Sequence, residues 1–223
     1  MRSLILSLFL VPALMLTSSG AILPIDNGSF ESPDISPDTE SVTSPSNWAE
    51  VTNKGYFHVL FRDGEASDGE QYVEMRTPVD DDSGFDYGLF LDDTTPVVYE
   101  ADLMYRVSVD VRLGEVTPTG GNVVLRIETP IGQGRDSQTI PSFDIGTDIP
   151  DSDNWTTIST PWFTPTLDAV GDNMRIQIQV GNLPNADSGV QFDNVRVEAI
   201  PEPTTLSLLG LAALGVLRRR RRR

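Results

Sequence analysis

Apolar and polar residues alternate with a period of two along several stretches of the chain. Arg175-Ile176-Gln177-Ile178-Gln179-Val180 sets Ile176, Ile178 and Val180 on one face and polar side chains on the other. Tyr105 to Arg112 repeats the pattern, as does Val195-Arg196-Val197-Glu198. Such alternation predicts half-buried strands over Tyr56–Phe61, Glu70–Arg76, Gly88–Leu91, Leu103–Leu113, Asn122–Glu128, Trp155–Phe163, Met174–Val180 and Val190–Val197. Thr117–Gly121, Pro130–Gly134 and Asp144–Asp153 read as loops. The pairs Asp153-Asn154, Asp172-Asn173 and Asp193-Asn194 read as turn or strand-leading residues, because their flanks do not repeat. No stretch between 22 and 200 has a helical period. The expected fold is all-β, an antiparallel β-sandwich of jelly-roll type in one domain.

Both ends break this pattern. Arg2 precedes an apolar run from Leu4 to Leu16, interrupted only by Ser7 and Pro12, and then Thr17 to Ala21 are all small. That order predicts a signal peptide over 1–21, cleaved after Ala21. At the other end Pro201-Glu202-Pro203 leads through two threonines into apolar residues Leu206 to Leu217 and six arginines, Arg218 to Arg223. A helix of that length reaches about 18 Å, short of a hydrocarbon core of about 30 Å. The arginines would stay cytoplasmic by the positive-inside rule, leaving the body outside. Proline cannot donate a backbone hydrogen bond, so Pro201-Glu202-Pro203 reads as an exposed joint open to an enzyme. The expected division is 1–21 signal, 22–199 sandwich and 200–223 terminal signal.

Charge separates the same parts. The chain of 223 residues carries a formal charge of −17. Setting aside Arg2, the terminal arginines and Glu202, residues 22–200 hold 9 basic and 32 acidic residues, a net of −23. So acidic a body argues against nucleic acid as partner. No cysteine is present, which removes disulfides, thiolate metal sites and thiol nucleophiles. The one histidine, His58, falls in a strand pattern and reads as a strand residue.

The C-terminal order of Pro201-Glu202-Pro203, short apolar helix and arginine cluster resembles the PEP-CTERM sorting signal of Gram-negative bacteria. The resemblance implies recognition by an exosortase, a membrane-embedded cysteine protease, with cleavage near the Pro-Glu-Pro and surface or extracellular delivery of the body. A second resemblance spans most of 26–198. Asn27-Gly28-Ser29-Phe30-Glu31, Asp68-Gly69-Glu70-Gln71-Tyr72, Tyr105 to Val109 and Phe192 to Val197 are similar, in order, to motifs of galactose-binding-like, carbohydrate-binding-module jelly rolls. That family ties its first and last strands with a structural calcium, which implies Glu31 and Asp193 as ligands here, completed by carbonyls around Asp68. Calcium also suits the chain's chemistry, since it takes oxygen ligands and no thiols compete.

Other chemistry is thinner. Asp80-Asp81-Asp82-Ser83-Gly84 lacks both the glycine at position six and the glutamate at twelve of an EF-hand loop, so it reads as solvated acid. Sugar stacking needs exposed aromatics, and Trp48 and Tyr56 flank a loop-rich segment, whereas Trp155 at a strand start reads as buried. Glycosidase chemistry needs a placed carboxylate pair, and no window singles one out. The sequence therefore points to an exported, exosortase-processed surface or matrix protein with a non-catalytic, carbohydrate-binding body associated with exopolysaccharide. A structural acidic matrix protein is the alternative, and a glycan-active enzyme ranks last.

Overall fold

A computed structural model describes residues 20–35, 40–41, 44–51, 58–63, 66–76, 87–91, 96–114, 118, 120–128, 138–150, 154–181, 183 and 188–202. The signal segment, Tyr56, the 80–84 run, Pro203, the terminal apolar segment and the arginine tail lie outside the described residues. Twelve strands are described. They are β1 (Ala21–Leu23), β2 (Glu40–Ser41), β3 (Trp48–Val51), β4 (His58–Asp63), β5 (Gln71–Arg76), β6 (Tyr87–Leu91), β7 (Leu103–Leu113), β8 (Asn122–Glu128), β9 (Gln138–Asp144), β10 (Thr156–Ser159), β11 (Arg175–Gly181) and β12 (Gly189–Pro201). All pairings between strands are antiparallel. No helix among the described residues is long and apolar enough to cross a membrane.

The strands make two sheets. The larger runs β10-β7-β12-β5-β4-β2 with β1 also on β12, and the smaller runs β3-β6-β11-β8-β9. The fold is thus the expected all-β sandwich, and β7 and β8 have the predicted limits. Sequence alternation missed β1, β2, β3 and β9. Pro141 masks β9, yet β9 lies at a sheet edge, where a missing N–H need not interrupt a ladder. The strand predicted through Phe163 stops at Ser159, just before Pro161; Phe163 meets Tyr105 only as an isolated bridge. The sandwich starts at Ala21 and ends at Pro201, just outside the expected limits of 22 and 199.

The inner faces carry β-branched and aromatic residues. Val107, Val109, Val111, Phe192 and Val197 come from the larger sheet, and Leu125, Ile127, Ile176, Ile178 and Val180 from the smaller; all are buried. Burial of one such side chain contributes about 1.5–3 kcal/mol, so this layer supplies much of the drive to fold. Phe192 and Val195 both reach the core although three positions separate them. A bulge makes this possible. The register with β7 shifts between Asp193 and Arg196, and Asn194 adopts a positive φ of 50°. Asp193-Asn194 is therefore a mid-strand bulge rather than a turn, and both side chains engage groups outside the core.

Candidate functional site

The polar side of β7 is Arg106, Ser108, Asp110 and Arg112, and by alternation it belongs to solvent. The structure buries most of it: Ser108 is 3%, Asp110 5% and Arg112 6% exposed. The reason is cross-strand pairing. Arg106 sits opposite Glu198, Ser108 opposite Arg196, Asp110 opposite Asp193 and Arg112 opposite Gln191, while β10 sets Thr157 beside Asp110 and Ser159 beside Ser108.

Asp110 is the hub of the middle section. Ser67 Oγ and Thr157 Oγ1 each donate to it at 2.6 Å, Asn194 Nδ2 donates at 2.9 Å and Arg196 Nη2 at 3.1 Å. Four donors converge on one carboxylate, two on each oxygen.

At one end of this track Arg112 donates through Nε to Gln191 Oε1 at 2.6 Å, and Gln191 Nε2 donates to Glu74 Oε2 at 2.8 Å. Arg76 completes the chain on the other oxygen of Glu74. The Arg112 guanidinium lies 4.7 Å from the Trp155 ring centre and 5.3 Å from that of Tyr72, and the two rings meet edge to face at 5.7 Å. Glu74 needs room there: a Cβ on Gly189 would come within 2.4 Å of Glu74 Oε1, and one on Gly114 within 2.9 Å. Trp155 and Arg76 are half-buried and reach solvent, while Tyr72, Glu74, Arg112 and Gln191 are buried. At the other end Arg106 pairs with Glu198 and lies 4.7 Å from the Trp162 ring centre. An arginine–tryptophan stack thus closes each end.

The two acids expected at a calcium site converge on one segment. Glu31 Oε1 accepts from the Glu70 and Gln71 amides, both at 2.9 Å. Asp193 Oδ2 accepts from the Ser67 and Asp68 amides at 2.7 and 2.8 Å, and Oδ1 from Asn194 N at 2.6 Å. The donor set is hard oxygen and suits calcium in kind. Among the described residues no three His, Cys, Asp or Glu side chains gather into a metal-holding group, so backbone carbonyls would have to complete such a site. The carboxylates bind N–H groups directly and so pin residues 67–71 to both the N-terminal segment and β12.

Asp193 is fully buried, and desolvation, opposed by its amide bonds, pushes its acid up to about 7. The folded state then keeps a proton that the unfolded state has lost. On this group's account stability is full below about pH 4 and is lost as pH rises through 7. Urea unfolding at a series of pH values should show that fall, and Asp193→Asn should flatten it; an unchanged slope would count against the shift.

Trp48 does not present its ring to a ligand. It is 4% exposed, packs tilted against Phe30 with ring centres 5.1 Å apart and donates Nε1–H to the Asn27 carbonyl at 3.0 Å. It is a core residue, drawn inward by the alternation of β3, which the sequence reading missed. Trp155, assigned to the interior, instead belongs to the polar track. Tyr72, Glu74, Arg112 and Gln191 went unnoticed, although each stands on the polar side of an alternating strand. The joint also differs from expectation: Pro201 pairs with Leu103 as the last residue of β12, and Glu202 N donates to Asp102 O at 2.9 Å. Pro203 lies outside the described residues.

A second polar set lies on the outer side of the smaller sheet, where Arg126 of β8 stands opposite the buried Gln177 of β11. Arg126 Nε is buried without a hydrogen-bond partner among the described residues.

Comparisons with known proteins agree on the fold. A cyclase from Fischerella sp. TAU superposes with a TM-score of 0.61 at 20% identity, covering 82% of this chain and 99% of the other. The same organism's cyclase in complex with 4-(1H-indol-3-yl)butan-2-one gives 0.59 at 20%, covering 82% and 98%. The CBM22-1 xylan-binding domain of Paenibacillus barcinonensis Xyn10C gives 0.50 at 17%, covering 82% and 97%. At these identities the likeness establishes the jelly-roll fold. No curated protein matches the chain by sequence. Residues 199–222 match the family model of the PEP-CTERM protein-sorting motif, which indicates export and exosortase-mediated processing with surface or extracellular delivery.

Proposed function

We propose that the body is a non-catalytic glycan-binding domain of an exopolysaccharide-associated protein. Before processing it hangs from the inner membrane of a Gram-negative cell, with the arginine tail in the cytoplasm. The observation that supports this best is the half-buried Trp155, set on Arg112 beside Tyr72, with Glu74, Gln191 and Arg76 joined in one hydrogen-bonded chain. An aromatic face beside fixed donors and acceptors is what a sugar ring needs, apolar C–H surface on one side and hydroxyls at its rim. Pull-down of the secreted body on a polysaccharide panel is the test, and Trp155→Ala should weaken retention about tenfold or more, as loss of a central aromatic anchor does. Retention that survives Trp155→Ala but is lost on Arg126→Ala would move the site to the smaller sheet. No retention on any polysaccharide, or turnover of one, would defeat the reading.

The −23 charge of residues 22–200 favours a second reading, an acidic matrix protein without sugar affinity. It requires calcium-dependent self-association in place of retention.

A structural calcium held by Glu31 and Asp193 is a separate part of the proposal. It is supported by the buried Asp193, whose described partners are all backbone amides and bring no full positive charge. A cation bound only by the folded state stabilises it by about 2.7 kcal/mol at a hundred times its Kd. Chelation should therefore lower the melting temperature, and added calcium should restore it. A melting temperature indifferent to both would remove the ion.

A further inference from the structure

The larger sheet ends on β10, which among the described strands pairs with β7 alone. On the outer face β10 sets Thr157 opposite Asp110 and Ser159 opposite Ser108, and Trp155 precedes the strand on that same face, against Arg112. Strict alternation would turn Trp162 inward, with Ile158 and Thr160. An extra residue prevents it. Thr160 N donates to Val107 O and Phe163 N to Tyr105 O, so the step from 160 to 163 on this side matches only 107 to 105 on β7. Trp162 thereby returns to the outer face, where the Arg106 guanidinium lies 4.7 Å from its ring centre. Both tryptophans are half-buried, and between them Thr157 is exposed and Ser159 half-buried.

We propose that Trp155 and Trp162 are the two ends of one platform for an extended, uncharged polysaccharide chain, which lies along β10 with a sugar ring on each tryptophan. Their arginines, Arg112 and Arg106, bracket six steps of β7, a span of ~20 Å that exceeds a disaccharide and takes a chain of about four sugar units. Each guanidinium holds the plane of its ring, and the exposed part of the ring is left for the C–H face of a sugar. Midway, Thr157 gives its proton to Asp110 at 2.6 Å, which leaves its oxygen as an acceptor for sugar hydroxyls. Charge selects against sugar acids. Arg106 is paired with Glu198 and Arg196 with Asp110, and residues 22–200 carry a net −23, a field that repels a polyanion.

The platform deepens the glycan-binding reading and rests on it. The probes are xylo-, manno- and gluco-oligosaccharides from disaccharide to hexasaccharide, titrated into the secreted protein by calorimetry, with alginate as the acidic control. In the series that binds, affinity should rise about tenfold or more from disaccharide to hexasaccharide, because the second ring adds an anchor to a chain already held. Trp162→Ala should abolish that rise while leaving disaccharide affinity within about twofold, and Trp162→Phe, which keeps an aromatic face, should restore most of it. Affinity that is flat with chain length overturns the platform, and this wild-type measurement decides even where a variant fails to fold. Hexasaccharide binding lost with Trp155→Ala but indifferent to Trp162→Ala also overturns it, and leaves a single-ring glycan site standing. Alginate bound more tightly than every neutral chain overturns the choice of an uncharged ligand. Failure of every probe, and of the polysaccharide panel with it, defeats the glycan-binding reading itself.

Discussion

Asp110→Asn should lower the unfolding free energy by about 3 kcal/mol, a large effect for a change of one atom. Asp110 accepts from Ser67, Thr157, Asn194 and Arg196. An asparagine turns one acceptor into a donor that faces donors. The two hydroxyls can rotate away and the Asn194 amide can turn its Oδ1 inward, but the Arg196 guanidinium has only N–H groups to offer there. Burial prevents water from replacing what is lost. Urea unfolding of Asp110→Asn beside Asp34→Asn, an exposed acid, checks this; the second change should stay within about 0.5 kcal/mol. Equal small effects would mean that the network holds nothing in place.

Gly69→Ala should cost about 2–4 kcal/mol, from two sources that can be measured apart. Gly69 has a φ of 77°, a left-handed conformation costing an L-residue about 1–2 kcal/mol. A Cβ there would also meet Glu31 Oε1 at 2.3 Å and its Cδ at 2.6 Å, an overpacking of about 1–3 kcal/mol. Gly146 isolates the first source, since its φ is 92° and nothing lies within 4 Å of its added Cβ. Gly146→Ala should therefore cost only the backbone part. In a Glu31→Ala background the Gly69→Ala penalty should shrink toward that same value. A penalty unchanged by Glu31→Ala would mean that the carboxylate does not rest on this glycine.

Sandwich architecture was legible because the inner residues of β7, β8 and β11 follow a clean alternation that needs no partner to be recognised. The short strands β1 and β2 were not legible, because a strand of two or three residues carries no period and exists only against its neighbour. The sorting motif was legible in full as a string. The resemblance implies Glu31 and Asp193 as calcium ligands; the structure shows both carboxylates accepting from backbone amides of residues 67–71. Trp48 is buried and Trp155 only partly so, the reverse of the sequence expectation, since a tryptophan at a strand end gives no sign of which face it takes.

By itself the sequence determined the sandwich class, the limits of its long strands β7 and β8, and that the body is strongly acidic while the tail is wholly basic. Those are local properties, set by side-chain chemistry and the two-residue period of a strand. Tertiary structure decided the rest through register. With Gln191 opposite Arg112 and Asp193 opposite Asp110, the shift between Asp193 and Arg196 then sets Arg196 opposite Ser108 and Glu198 opposite Arg106, which turns a row of polar residues into a buried network. Register likewise carries β12 through Pro201 and draws the start of the sorting motif into the sheet. No local pattern encodes that, because register belongs to two strands at once.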